Sequence, residues 1–193
     1  ALDRQTMSYG IASGLMFGCL LAYVASSQQV FTEVFHVGDH FPLLFGAVAS
    51  VMAIASFVNA NLVERLGMRR VSHTALAAFI SVSLALAMAS NAGLASLSVF
   101  CVLVASAFFC FGLIAPNFNA LAMEQQGNNA GMASSVIGSL STAIGASAGS
   151  IIGGAFDGSV LPLALGFAGC SVLTSIVVFA FEGPAGLFGR NRP

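Results

Sequence analysis

The chain has 193 residues, of which 58% are hydrophobic and only 7% charged, with a mean hydropathy of +0.94. A soluble domain usually carries about 25% charged residues, so lipid is the solvent expected for most of this chain. The net charge of −1 excludes nothing by itself; its placement along the chain is what informs.

The first nine residues, with Asp3 and Arg4, lack the order of a cleavable leader. The chain opens on Ala, and the expectation is a segment of a longer protein. A bilayer core of about 30 Å needs roughly 20 apolar residues of helix. Six runs meet that length, over about 9–31, 42–62, 71–90, 94–115, 130–153 and 159–181. The expected fold is therefore an all-α integral membrane protein, with residues 1–193 forming a single six-helix transmembrane domain. Pro42 and Pro162 fall in the first turn of the second and sixth runs, where a missing N–H costs little. Pro116 follows the fourth run and is expected to end or kink it.

All six basic residues are arginines. Arg4 precedes the first run, Arg65, Arg69 and Arg70 lie between the second and third, and Arg190 and Arg192 follow the sixth. With six spans these segments share one side, whereas the opposite loops carry Glu33, Asp39 and Asp157. The positive-inside rule then predicts cytoplasmic termini at the plasma (inner) membrane.

The first run carries Gly10, Gly14, Gly18 and Ala22 at four-residue steps. The fifth carries Gly131, Gly138, Gly145, Gly149 and Gly153 at steps of seven and four. Each spacing returns to nearly one helix face, which suits close helix packing in lipid; rocking during transport is the functional alternative. The deep polar groups are hydroxyls: Tyr23, Ser106, Ser139, Ser141, Thr142 and Ser147. No acidic residue, Arg or His lies near the middle of a span, so no proton relay is expected within the segment. Tyr23 with Phe108, Phe109 and Phe111 could line one wall of an apolar cavity; core or lipid-facing aromatics are the plainer alternative.

Several strings need weighing. Gly145-Ala146-Ser147-Ala148-Gly149 matches the hydrolase G-x-S-x-G pattern, but that motif needs a strand-to-helix elbow. His36, His40 and His73 all sit near membrane surfaces, away from Ser147, so an enzyme is not expected. Glu33, His36, Asp39 and His40 have types that suit a divalent metal, yet a solvated outer loop explains them, and neither metal nor cofactor is expected. Cys19, Cys101, Cys110 and Cys170 lie within apolar runs, outside any C-x-x-C pair, and read as small buried hydrophobes.

The loop Glu64-Arg65-Leu66-Gly67-Met68-Arg69-Arg70 resembles the cytoplasmic signature of the major facilitator superfamily, with Glu64 where Asp is more usual. Phe17 to Tyr23 running on to Phe31-Thr32-Glu33, and Pro116 to Glu124 followed by Ala130 to Ser135, resemble the Bcr/CflA drug-efflux group. Gln125-Gln126 departs from that group, in which a Pro often follows the Glu. The resemblance spans nearly the whole chain and implies helices seven to twelve of a twelve-helix transporter. It implies proton-driven export of small amphipathic drugs such as bicyclomycin, by alternating access of two six-helix halves. The coupling carboxylates are then expected mainly in the other half. Implied partners are the lipid bilayer, an N-terminal six-helix half, a drug-like substrate and protons, with no nucleic acid. The loop from Glu64 to Arg70 would help latch the cytoplasmic gate. A six-span carrier acting as a homodimer and a non-transporting scaffold subunit are the alternatives.

Overall fold

A computed structural model describes residues 3–127 and 130–186. Arg190 and Arg192 lie outside the described residues. Six long helices account for almost all of the described chain, and no strand occurs among these residues. They are α1 (Arg4–Gln29), α2 (Phe41–Leu66), α3 (Met68–Asn91), α4 (Leu97–Met123), α5 (Ala130–Gly154) and α6 (Leu161–Gly186). At a rise of 1.5 Å per residue these lengths amount to about 36–40 Å, enough to cross a bilayer with some tilt.

Local chemistry fixes the ends. The Asp3 carboxylate accepts from the Thr6 amide at 2.7 Å and caps α1, a role in which short acceptor side chains excel. α1 runs on into a π turn, Val30–Val34. The following bend is closed by the Val37 amide donating to the Phe31 carbonyl at 3.0 Å. Pro42 occupies the first turn of α2. Between α2 and α3 a single residue, Gly67, turns the chain at φ +83°, ψ 153°. That region is closed to residues with a Cβ, so two helices can meet here with no loop only because the residue is glycine.

Pro116 does not end α4: the helix continues for seven more residues to Met123. The Asn117 side-chain amide donates to the Leu113 carbonyl at 2.6 Å and that of Asn119 to the Ala115 carbonyl at 3.1 Å.

α1 is the hub. It packs most extensively on α5 and also contacts α6 and α4; α3 lies between α4 and α6, and α2 rests mainly on α4. The most apolar stretch of α1 is 56% buried and those of α3 and α4 50%, against 11% for α2 and 17% for α5. α2 and α5 therefore flank a four-helix centre, each leaving a long face uncovered.

Two kinds of exposed face result. α6 exposes Leu165, Val172, Leu173, Ile176, Phe179 and Phe181, a surface matched to acyl chains. α5 exposes Ser134, Ser135, Gly138, Ser139, Thr142 and Ala146, which are small and mostly polar, together with the larger apolar Met132, Val136 and Ile151.

Candidate functional site

The glycine stripes of α1 and α5 meet, but only in part. A Cβ on Gly14 would come within 2.9 Å of Ile144, one on Gly18 within 2.8 Å of Ala148, and one on Gly149 within 2.6 Å of Leu21. Gly145 faces Phe17 and the Gly14 carbonyl, Gly153 faces Ala25, and Gly10 has looser room beside Ile137. Ser141 donates to the Gly10 carbonyl at 2.9 Å across the same seam. Gly131 and Gly138, by contrast, have open space where a Cβ would stand and lie on the exposed side of α5. A seven-residue step turns only some 20° round the helix, so these two glycines differ from Gly145 in having no neighbour opposite rather than in the face they occupy. The G-x-S-x-G string is accounted for here: Gly145 and Gly149 are packing residues and Ser147 is exposed on the same helix.

The aromatic residues divide as well. Tyr23 is fully buried, stacked on Phe45 at 5.3 Å and edge-on to Phe108 at 4.8 Å. Phe108 continues edge-on to Phe111 at 6.3 Å and tilts against Phe167. Phe109 is one residue on, roughly 100° round the helix. It lines an open apolar groove of 450 Å³ with Val51, Val102, Ala105, Ser106 and Cys110. The four aromatics expected on one wall are thus a buried cluster of three and a separate groove residue. The Tyr23 hydroxyl has no hydrogen-bond partner among the described residues, and neither do those of Ser13 and Thr174. Most other hydroxyls in the spans are satisfied locally. Ser106 and Ser139 donate to carbonyls four residues back, at 2.7 and 2.8 Å, the usual solution for serine within a helix.

The arginine loop joins a polar clasp that sequence reasoning did not assemble. Glu64, Arg65 and Arg70 are exposed. Arg69 reaches Glu124, just past the end of α4, at 3.0 Å. The same carboxylate oxygen accepts from the Gln5 side chain at 2.8 Å, and Gln5 also donates to the Leu121 carbonyl at 2.9 Å. Gln126 donates to Thr6 Oγ1 at 2.6 Å and to Asp3 at 3.1 Å; Thr6 donates to the Ala122 carbonyl at 2.8 Å. Arg4 lies over the Phe181 ring at 5.2 Å. The clasp ties the start of α1 to the start of α3 and the end of α4.

Next to the clasp, Tyr9 on α1 and His73 on α3 are both buried, and the Tyr9 hydroxyl stands 3.2 Å from His73 Nε2. Both rings lean on Phe118 of α4. A further interhelix bond joins Asn117 to Asn59 of α2 at 2.7 Å, near where a Cβ added at Gly112 would stand 2.6 Å from that of Ala55. In the outer loop, no three His, Cys, Asp or Glu side chains converge among the described residues.

Against curated proteins, the chain is 27% identical over 192 residues to the "Bicyclomycin resistance protein homolog" of Haemophilus influenzae, aligning 98% of this chain with 47% of that protein. It is 27% identical over 158 residues to the "Uncharacterized MFS-type transporter YdgK" of Bacillus subtilis, with 78% of this chain and 38% of that protein aligned. These relatives support the major facilitator superfamily. The chain is a multi-pass membrane protein that spans less than half the length of the curated relatives it matches. No family model and no solved structure matches it.

Proposed function

We propose that this chain is the C-terminal half, helices seven to twelve, of a major facilitator transporter that exports small amphipathic drugs by proton antiport. The observation that carries this reading is the alignment of 98% of the chain with 47% of a resistance protein homolog, together with six helices where a whole transporter of this type has twelve. Residues 1–193 act as one transmembrane domain in the inner membrane, with both termini cytoplasmic.

The uneven packing supports a missing partner half. Helices associate in lipid through close contact of small residues and interhelical hydrogen bonds. The exposed part of α5 offers both through Ser135, Gly138, Ser139 and Thr142. α2 and α5 are accordingly the elements that meet the N-terminal half. The seam formed by Gly14, Gly18, Gly145, Gly149 and Gly153 keeps α1 and α5 moving as one body, and Gly131 and Gly138 lie on the face turned to the other half.

Tyr23 is proposed as the polar handle of the substrate wall, because its unpaired hydroxyl sits in an aromatic cluster. An unsatisfied buried hydroxyl carries a desolvation cost of about 1–3 kcal/mol that an incoming acceptor relieves. Phe108 and Phe111 extend the wall, and Phe109 serves it through the α2–α4 groove. Glu64, Arg65, Gly67, Arg69 and Arg70 form the cytoplasmic gate.

The test is drug accumulation in cells stripped of their own pumps. The segment is expressed alone and together with an N-terminal half from a related exporter, with and without an uncoupler. Uncoupler-sensitive export only when both halves are present is expected. Export by the segment alone would instead mean a homodimeric carrier and would overturn the half-transporter reading.

A further inference from the structure

Two thiols meet inside the bundle where transport, as proposed above, does not use them. Cys19 stands ten residues before the end of α1 at Gln29, and Cys170 nine residues after the start of α6 at Leu161. α1 and α6 run in opposite directions, and at their other ends Arg4 lies over Phe181. At 1.5 Å per residue both cysteines therefore sit about 14–15 Å in from the end opposite the arginine loop. Their side chains are hydrogen-bond partners there. The Cys19 thiol also reaches the Leu15 carbonyl at 3.7 Å. Cys19 is fully buried, Cys170 is 7% exposed, and both are free thiols.

The other two cysteines do not make such a pair. Cys101 and Cys110 are nine residues apart on α4. Nine residues are two and a half turns, so the two point to opposite faces, roughly 14 Å apart along the axis.

The surroundings select what Cys19 and Cys170 can hold. Among the described residues no third His, Cys, Asp or Glu side chain joins them, so a four-coordinate ion such as zinc lacks its ligands. Two thiolates on a soft monovalent cation would leave a net negative charge in an apolar interior, where an uncompensated charge is costly. A centre that takes two sulfurs and ends neutral meets neither objection.

We propose that Cys19 and Cys170 form a two-thiol site for a neutral, lipid-soluble thiophile of the trivalent organic arsenical class, which on binding fastens α1 to α6. With an aryl arsenoxide the step balances without an oxidant. Two As–S bonds form and the bonding of arsenic to oxygen breaks. Both thiol protons leave with that oxygen as one water, and arsenic stays trivalent. The second As–S bond closes within one molecule, and such effective concentration raises affinity by about 10²–10⁴. Approach is through lipid: α6 exposes the apolar Val172, Leu173 and Ile176 beyond Cys170. The site rests on the packing of α1 against α6 and not on drug export.

The test uses the full chain, reduced, in lipid nanodiscs, with phenylarsine oxide as the probe. Thiols left free are blocked with N-ethylmaleimide in SDS. Arsenic is then stripped with 2,3-dimercaptopropanol, and the thiols it releases are labelled with deuterated maleimide and located by mass spectrometry. Expected is one arsenic per chain, with Cys19 and Cys170 released together and Cys101 and Cys110 already blocked. Cys19→Ala and Cys170→Ala should each weaken retention at least about a hundredfold, the loss of the second bond. The Cys101→Ala, Cys110→Ala double variant should retain arsenic as the parent does. Where an alanine variant does not fold, the map on the parent chain decides by itself. Arsenic on Cys101 or Cys110, retention unchanged in either single variant, or a parent chain that binds none would overturn the proposal.

Discussion

α1 is held in two unlike ways along its length. Through the bilayer it rests on α5 across a seam in which Gly14, Gly18, Gly145 and Gly149 leave no room for a side chain. At its start it is held to α3 and α4 by side-chain hydrogen bonds from Gln5, Thr6 and Gln126 and by the charge of Glu124. The seam depends on shape and the clasp on chemistry. A shape-held contact fails when volume is added and ignores salt and pH. A chemistry-held contact tolerates small changes of volume and responds to both. The same helix is thus joined to α5 by shape and to the end of α4 by polar chemistry.

The largest effect should come from adding volume to the seam. A Cβ at Gly149 would stand 2.6 Å from the Cβ of Leu21 and 3.2 Å from the Ala22 amide nitrogen. Backbone cannot move aside cheaply, so Gly149→Leu should lose at least about 3 kcal/mol, the upper range for overpacking, read as a lowered unfolding midpoint in detergent. Gly138→Ala on the open side of the same helix is the control. It should be neutral or stabilise by up to about 1 kcal/mol, the ordinary helix preference for Ala over Gly. Equal losses at both positions would break the distinction between seam and open face.

Gly67→Ala should rank next. The α2–α3 junction needs φ +83° with ψ 153°, and holding a residue with a Cβ there costs on the order of 1–3 kcal/mol. An unfolding midpoint matching that of the parent would show that the junction relaxes to another turn. Asn117→Leu should follow, removing the bonds to Asn59 and the Leu113 carbonyl. Interhelical hydrogen bonds in bilayers are worth about 0.6 kcal/mol on average and at most about 1.7. A double-mutant cycle with Asn59→Leu isolates that contribution.

Much of the fold was legible because lipid imposes one rule at a time. Twenty-residue apolar runs must be helices, and their number was read without help from the loops. Gly14, Gly18, Gly145 and Gly149 were legible by period alone. Gly131 and Gly138 were not placed correctly by period, because spacing gives the face of a helix but not whether a neighbour stands opposite it. Gly112 was missed for the opposite reason: a single close approach to Ala55 has no repeat to reveal it. Pro116 lies inside α4 rather than at its end, because helices in lipid tolerate a proline within a span where a local backbone rule places it at a terminus. The clasp was the least legible part. Gln5 and Glu124 are 119 positions apart, and the chain carries no local mark of such a pairing. His73 read as a residue near the membrane surface until the fold set it against Tyr9.

The smallest of these effects, and the sharpest test of the contrast, is the charge of Glu124. Its Oε2 serves Gln5 and Arg69 together, and its side chain is 28% exposed while that of Arg69 is 14% exposed. A pair this open to solvent contributes about 0.2–1 kcal/mol. Glu124→Gln keeps a carbonyl oxygen for Gln5 but removes the charge, so most of that small loss should come from Arg69. It should shrink as ionic strength is raised from 0.01 M to about 1 M, because the screening length falls from roughly 30 to 3 Å. Gly18→Ala, placed against Ala148 in the seam, should destabilise equally at both salt concentrations. If Glu124→Gln were likewise indifferent to salt, the clasp would be held by its neutral hydrogen bonds through Gln5, Thr6 and Gln126 rather than by charge.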